Sequence, residues 1–477
     1  MQELTESLSF RDPDGYLFNS GNRILRYVFP HASGDVRAFL DSRLAACWMS
    51  DGKLVRSEIL GNPAGAELPS ACAGQLPQGA IVVEHTAIAF GNYPYEWAPA
   101  MLRAAAELTL ELAREAMRDG FILKDATPYN LIFDGCSPVF VDLLSFRRRD
   151  PRESVWRPYA QFVRTFVLPL LAFQYFGLRP DEILLAHRDG LEPERLLALC
   201  PCYRLLFPPF LSCVTLPALL SRASRGAAMD RYRVRHARDA DEAAFLLERM
   251  FARAGRLLRD SGRTRRRTGA VEYMDSGHPY TGAELAGKER FVASVLERLS
   301  PRNVLDIGCN TGHFSRLAAR RAARVVAIDR DDAVIDALWR SASQASLDIL
   351  PLVVDIGRPP GASGWQNRES AAFLDRARGN FDCVLMLALI HHLLVNERVP
   401  LIGILELAAE LTTRWAVVEF IHPQDSNFES IARGRDGLHR DLTRESFESA
   451  AARYFQIADA ADISATRRIY LLQKKGV

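Results

Sequence analysis

The eight cysteines of this 477-residue chain form no C-x-x-C pair. That absence speaks against a zinc knuckle or a dithiol redox motif, and Cys200-Pro201-Cys202 is too close for the usual zinc spacing. Thiols scattered in this way fit a reducing compartment. Long uncharged apolar runs are also missing. A spanning helix needs ~20 mostly apolar residues. The two best stretches are Phe162–Leu178, broken by Arg164, Pro169 and Gln174, and Leu205–Leu220, which holds three prolines. Both read as buried helices, with peripheral membrane contact left open. The opening MQELTESLSFRDPDG has neither the basic start nor the apolar core of a secretory signal, so a cytoplasmic location is expected. An excess of one charge is lacking too: 60 Lys+Arg face 58 Asp+Glu, a net +2. That balance gives no electrostatic reason for a nucleic-acid partner. The basic runs Arg147–Arg149 and Arg265–Arg267 are short enough to be solvated surface.

What is present is ordinary globular material, 48% hydrophobic and 25% charged, enough for two or three cores. Residues 8–60 read as short strands between the turn signals Asp14-Gly15, Ser20-Gly21-Asn22 and Asp51-Gly52. Residues 61–80 form a Gly/Pro/Ala-rich loop, and Ile81–Glu84 is strand-like. Met101, Ala105, Leu108 and Leu112 recur at helical spacing within Glu96–Arg118. Residues 155–258 look helical, interrupted by prolines. The polar, aperiodic stretch DSGRTRRRTGAVEYMDS marks a boundary, giving domains 1–258 and 279–477 with a linker at 259–278. After it, a helix at Ala283–Leu299 leads into seven strand candidates: Asn303–Ile307, Arg324–Ile328, Ile349–Val353, Cys383–Leu387, Ala416–Phe420, Tyr454–Ile457 and Arg468–Leu472. Helices fall between most of them. That alternation predicts an α/β domain, a parallel sheet covered on both faces, with Arg468–Leu472 as an edge strand paired to Tyr454–Ile457.

The densest signal is Val304-Leu305-Asp306-Ile307-Gly308-Cys309-Asn310-Thr311-Gly312-His313-Phe314. An apolar strand runs into a glycine turn, and a helix opens at once. Gly308 and Gly312 permit positive φ and close backbone approach. The first helical amides have no intrahelical acceptor, so a ligand can sit against both. Such loops also hold dinucleotides, but the chain has no G-x-G-x-x-G. Further on, Val325–Asp329 ends a second strand in a carboxylate able to accept from two ribose hydroxyls. Leu352-Val353-Val354-Asp355-Ile356 ends a third in Asp355, placed to accept from an adenine amino group. Asn380–Met386 is a fourth, followed by Ala388-Leu389-Ile390-His391-His392-Leu393.

This ordered series resembles the class I S-adenosylmethionine-dependent methyltransferases over roughly 280–477. The resemblance implies a seven-stranded Rossmann-like sheet with S-adenosylmethionine as cofactor. It places the methionine part on Asp306, Gly308, Cys309, Asn310 and Gly312, the ribose on Asp329, and the adenine on Asp355 and Ile356. Asn310 stands where many members carry a third glycine; asparagine tolerates left-handed backbone better than most residues. The implied reaction is in-line displacement at the sulfonium methyl, with alignment and water exclusion as the protein's share. Where the nucleophile needs a base, the strand ends offer His391, His392, Glu419 and Asp425. The paired histidines can equally pack beside the adenine and cap the helix, and Glu419 can orient substrate or be solvated. No metal is expected. The acceptor pocket is expected from Pro359–Glu369 with Trp365, and from His422–Phe428 with Asp425, Arg433 and Arg435. Its occupant would be a small molecule or a glycan.

The first half carries FILKDATPYNLIFDGCSPVFVDLLSF at 121–146. Asp125 and Asn130 are spaced as in the kinase catalytic loop, and Asp142 follows a strand near where the D-F-G aspartate would fall. Asp125 can accept a hydroxyl proton, and Asn130 and Asp142 can coordinate magnesium. This resembles an α+β kinase-like domain and implies Mg-ATP. The departures are large: Leu123-Lys124 precede Asp125, Leu143-Leu144 follow Asp142, there is no glycine-rich loop, and no strand lysine is evident. A degenerate shell used for binding fits these better than active phosphotransfer.

Together, LKDATPYN, PVFVDLLSF, LDIGCNTGHFS, GWQNRE, LALIHHLL and VVEFIHPQDSNF are similar to a group of bacterial two-part methyltransferases that includes the rhizobial host-specificity nodulation proteins. That resemblance covers nearly the whole chain. It implies decoration of a lipo-chitooligosaccharide signal or another glycan. The residues themselves argue for methyl transfer and not for a sugar.

Overall fold

The computed structural model describes residues 12–61, 78–223, 236–261, 282–321, 324–432, 439 and 441–476. The chain divides into two compact units, Met1–Arg265 and Arg266–Val477.

In the first unit, β1 (Gly15–Ser20), β2 (Arg23–Val28), β3 (Ser57–Ile59) and β4 (Ile81–His85) form an antiparallel sheet in the order β1-β2-β4-β3. Phe18, Leu25, Tyr27 and Val82 pack as its core. Between β2 and β3 the all-strand expectation for 8–60 fails. Pro30–Leu40 and Arg43–Ser50 are helices. Ala32, Val36 and Phe39 recur at helical spacing and are buried. Pro30 occupies the first turn, where its missing N–H costs nothing. Ser42 caps the second helix, accepting from the Ala45 amide at 3.1 Å. The turn dipeptides on either side had masked this periodicity.

The helix Pro99–Arg118 leads into β5 (Phe121–Leu123), which pairs with β8 (Phe146–Arg148). The hairpin of β6 (Leu131–Asp134) and β7 (Ser137–Phe140) lies between them in sequence. Helices follow to Asp260.

The second unit is built on β9 (Asn303–Ile307), β10 (Arg324–Asp329), β11 (Ile349–Val353), β12 (Phe381–Met386), β13 (Thr412–Ile421), β14 (Phe455–Asp462) and β15 (Arg467–Lys474). Their order is β11-β10-β9-β12-β13-β15-β14. The first five run parallel, and β15 pairs antiparallel with both β13 and β14. Val304, Leu305, Val325, Ala327, Leu352, Val384, Leu385, Ala416 and Val417 are fully buried. Such continuous apolar strands follow from helices covering both faces. One expectation is corrected here. Arg467–Lys474 is interior, and the edge is β14. The reason is polarity: Ile469–Leu472 are buried, whereas β14 carries exposed Gln456 and Asp462 and breaks register between Ile457 and Asp459. Charge and a bulge blunt an exposed edge.

Connections run from β9 toward one edge through β10 and β11, then cross back to β12. The order therefore reverses between β9 and β12, where α/β sheets open a ligand crevice at their carboxyl ends. Gly312 starts the helix His313–Ala319 with φ 77°. A Cβ there would meet Leu338 Cδ1 at 2.2 Å. Gly312→Ala combines left-handed strain with overpacking, and a loss of about 3 kcal/mol is expected in urea unfolding of the full chain.

Candidate active site

The strand ends around the switch point enclose a cavity of about 610 Å³. β9 brings Asp306 and Ile307 to its wall, and the turn adds Gly308, Cys309 and Asn310. β10 contributes Asp329, with Arg330 and Asp331. The end of β11 contributes Val354, Asp355 and Ile356, and the segment after β12 contributes Leu387–Leu389 and His391–Leu393.

The turn is fastened to the neighbouring strand. The Gly308 and Cys309 amides both donate to Ile328 O, at 2.8 and 3.0 Å. The Asn310 amide donates to Asp329 Oδ2 at 3.0 Å, and the Asp331 amide to Oδ1 at 3.0 Å. Burial raises the Asp329 carboxyl; these two amides only partly offset it. Each oxygen retains a lone pair for a further donor. Asn310 adopts φ 49°, and its side-chain oxygen accepts from the Thr311 amide at 2.6 Å. Asp306 accepts from Ser315 Oγ at 2.6 Å, locking the strand to the helix start. Its complete burial pushes its pKa up to about 6. Asp355 accepts from the Gly357 amide at 2.9 Å. Ala388 holds φ 53° at the cavity wall, a conformation that persists only where the surroundings enforce it.

Of the expected cofactor residues, all but Gly312 line this one cavity. Gly312 acts one turn away, by admitting Leu338. His391 and His392 also line it, their rings 4.3 Å apart. His391 is buried, and its Nδ1 has no hydrogen-bond partner among the described residues. Burial, reinforced by His392 and Arg467, drops its pKa to about 3. His392 is lowered by burial as well and contacts Asn396 Nδ2 at 3.4 Å.

Three expectations are corrected. Glu419 is not solvated and does not reach the cavity wall; it is fully buried and accepts from Lys288 Nζ at 2.5 Å. Asp425 is also off the cavity. It takes a two-pronged bond from Arg467, 2.7 and 2.8 Å, and another from Thr466 at 2.7 Å. Burial would raise its carboxyl, but these donors outweigh it and hold it low. Trp365 lies outside the cavity, 60% exposed. Arg433 and Arg435 fall outside the described residues.

Sequence reasoning missed Lys288, which lines the cavity, pairs with Glu419 and stands 5.0 Å from the centre of the Phe314 ring. It also missed Ser430 and Ile431, from the helix Ser426–Ala432, whose Asn427 belongs to the expected acceptor segment His422–Phe428 and does line the cavity. The one available signal for Lys288 was its place on the apolar stripe with Val292 and Val295.

In the first unit, the structure brings Asp125, Asn130 and Asp142 into one cluster. Asn130 Nδ2 reaches Asp125 O at 3.4 Å and Ser145 Oγ at 3.0 Å. Burial raises the Asp125 carboxyl, helped by the nearby Asp142. Asp142 itself is engaged twice, by Arg26 Nη1 at 3.1 Å and by Ser145 Oγ. Arg26, on β2, also donates to His85 Nε2 at 3.3 Å. Sequence reasoning did not find this ion pair between Arg26 and Asp142. Among the described residues, no group of three His, Cys, Asp or Glu is placed to hold a metal ion.

A doubly covered parallel sheet, reversed between β9 and β12 and carrying a glycine turn with strand-end carboxylates, defines a methyltransferase unit. Residues 284–438 match the methyltransferase-domain family. Over 466 residues the chain is 29% identical to nodulation protein NoeA of Rhizobium meliloti (strain 1021), covering 96% of this chain and 94% of that one. Among solved structures, magnesium protoporphyrin IX methyltransferase from Synechocystis PCC 6803, with bound SAH, is 16% identical at a TM-score of 0.31, covering 43% of this chain and 92% of its own. The N-methyltransferase NodS from Bradyrhizobium japonicum WM9 is 15% identical at 0.28, covering 39% and 96%.

Two outcomes follow from the buried charges. Glu419→Ala strands the Lys288 ammonium and should cost about 3–5 kcal/mol in urea unfolding, whereas the double change Lys288→Met/Glu419→Leu should recover most of it. His391 stays neutral when folded but protonates when unfolded below its ordinary 6.5. Its contribution is therefore whole above about pH 6.5 and is lost as the pH falls toward 3, on the order of 5 kcal/mol in all. His391→Gln should flatten that part of the stability–pH curve.

Proposed function

We propose that the second unit catalyses S-adenosylmethionine-dependent methyl transfer to a small-molecule acceptor. The observation that carries this reading is the convergence of the Gly308–Asn310 turn, Asp329 and Asp355 on a single cavity. The residues present fit the cofactor piece by piece. Asp329 has a spare lone pair on each oxygen for a ribose diol. Val354, Ile356, Leu389 and Leu393 give a purine an apolar slot, with Asp355 at its rim. Lys288 brings a buried ammonium toward the methionine carboxylate. Asp306, Asp329, Asp331 and Glu397 set a negative field suited to a sulfonium cation.

When bound, S-adenosylmethionine supplies an electrophilic methyl group. The protein's share is alignment and exclusion of water. His391 is the group we assign to the acceptor. It lies on the cavity wall and burial keeps it neutral, so it can orient an O–H or N–H acceptor by a hydrogen bond, whereas a ring this weakly basic is a poor proton acceptor. His392 packs against it and fixes the ring. Glu419 and Asp425 act at one remove, by holding Lys288 and Arg467.

NoeA's description as a nodulation protein motivates a finer reading, in which the acceptor is a glycan of nodulation-signal type. Phosphotransfer by the first unit is not favoured. The segment before Asp125 carries no glycine-rich loop or strand lysine of the kind that holds Mg-ATP phosphates, and Asp142 is paired with Arg26 and Ser145.

Isothermal titration of the full chain with S-adenosylmethionine should give saturable binding, and Asp329→Ala should weaken it at least about tenfold. Absence of heat at millimolar ligand, or unchanged affinity in the variant, overturns the reading.

A further inference from the structure

Fourteen large hydrophobic side chains are exposed among the described residues, and seven of them fall between Leu199 and Leu220. The short turn Cys202–Leu206 packs on Leu211–Thr215, which continues into the helix Leu216–Ala223. Tyr203, Leu206 and Phe207 share one spacing, i, i+3, i+4, and Leu216, Leu219 and Leu220 repeat it. These six are 46–66% exposed. The opposite side of the same stretch is buried through Phe210, Cys213, Val214 and Ala218. A helix that is apolar all round belongs in an apolar environment on both sides, and a patch of this kind on a surface marks a contact.

Charge selects the occupant. From Arg195 to Met229 the sequence has no aspartate or glutamate, but includes Arg195, Arg204, Arg222 and Arg225. Arg204 is held at the patch by stacking over Tyr175 at 4.5 Å and Tyr203 at 5.8 Å. A second copy would set like charges against each other. Anionic headgroups above acyl chains complement both the arginines and the leucines. No helix among the described residues is long and apolar enough to cross a membrane, so contact here would be peripheral.

We propose that the face formed by residues 199–220 docks on an anionic lipid bilayer. The test is sedimentation of the full chain with extruded vesicles of phosphatidylcholine, alone or with about one third phosphatidylglycerol. The chain should pellet with the mixed vesicles, and much less with the neutral ones. Leu206→Glu/Leu220→Glu, two exposed positions, should lower the bound fraction at least about tenfold while leaving the thermal melt unchanged. Failure to pellet with anionic vesicles overturns the proposal, as does equal pelleting of the variant. A wild-type dimer in gel filtration that the same substitutions dissolve also overturns it, and makes this face a self-association surface.

Discussion

Everything at the cavity depends on how one tight turn is tied to the strand beside it. The amides of Gly308 and Cys309 converge on the carbonyl of Ile328, and the next residue of that strand, Asp329, receives the amide of Asn310. The loop therefore cannot move without β10. Its backbone is fixed before any ligand arrives, which is the condition under which aligned donors are worth most. The left-handed positions at 308, 310 and 312 are needed to make this bend, and two of the three are glycine.

Around this frame, charge is handled by burial rather than by solvent. Lys288 and Glu419 pair with side chains only 3% and 0% exposed. Removing one partner of such a pair is far costlier than replacing both, which makes it a fastening between the helix Gly282–Leu299 and the middle of the sheet. His391 shows the converse. Its surroundings favour the uncharged ring so strongly that it keeps an accepting nitrogen across the whole physiological range. The cavity thus combines carboxylates at its rim with a neutral imidazole at its wall.

The sequence made local features readable and left distant pairings obscure. The glycine turn, the strand-end aspartates and Asn310 lie within short segments whose period and residue types have a direct physical meaning, so their meeting in one crevice followed from the strand–helix alternation. Glu419 also reads as a strand-end carboxylate, and nothing within its own segment tells that a lysine 131 residues earlier will cover it. Asp425 and Arg467 pose the same difficulty, because the partner arrives on an antiparallel strand added after the parallel core. The helices at Pro30–Leu40 and Arg43–Ser50 were missed for another reason: each is short, and turn signals bracket them closely. Arg26 was overlooked because an arginine on a hairpin reads as surface until Asp142 is folded against it.

The bond between Arg467 and Asp425 bears on where this unit can be divided. Every described residue lining the cavity lies between Leu285 and Ile431, inside the stretch 284–438 that matches the methyltransferase-domain family. The guanidinium that neutralises Asp425, at the head of the helix supplying Asn427 and Ser430, comes from beyond that stretch. A fragment trimmed to the matching segment would keep every wall of the crevice and lose the clasp behind one of them. The last two strands are therefore structural members of the pocket, although no side chain of theirs faces into it.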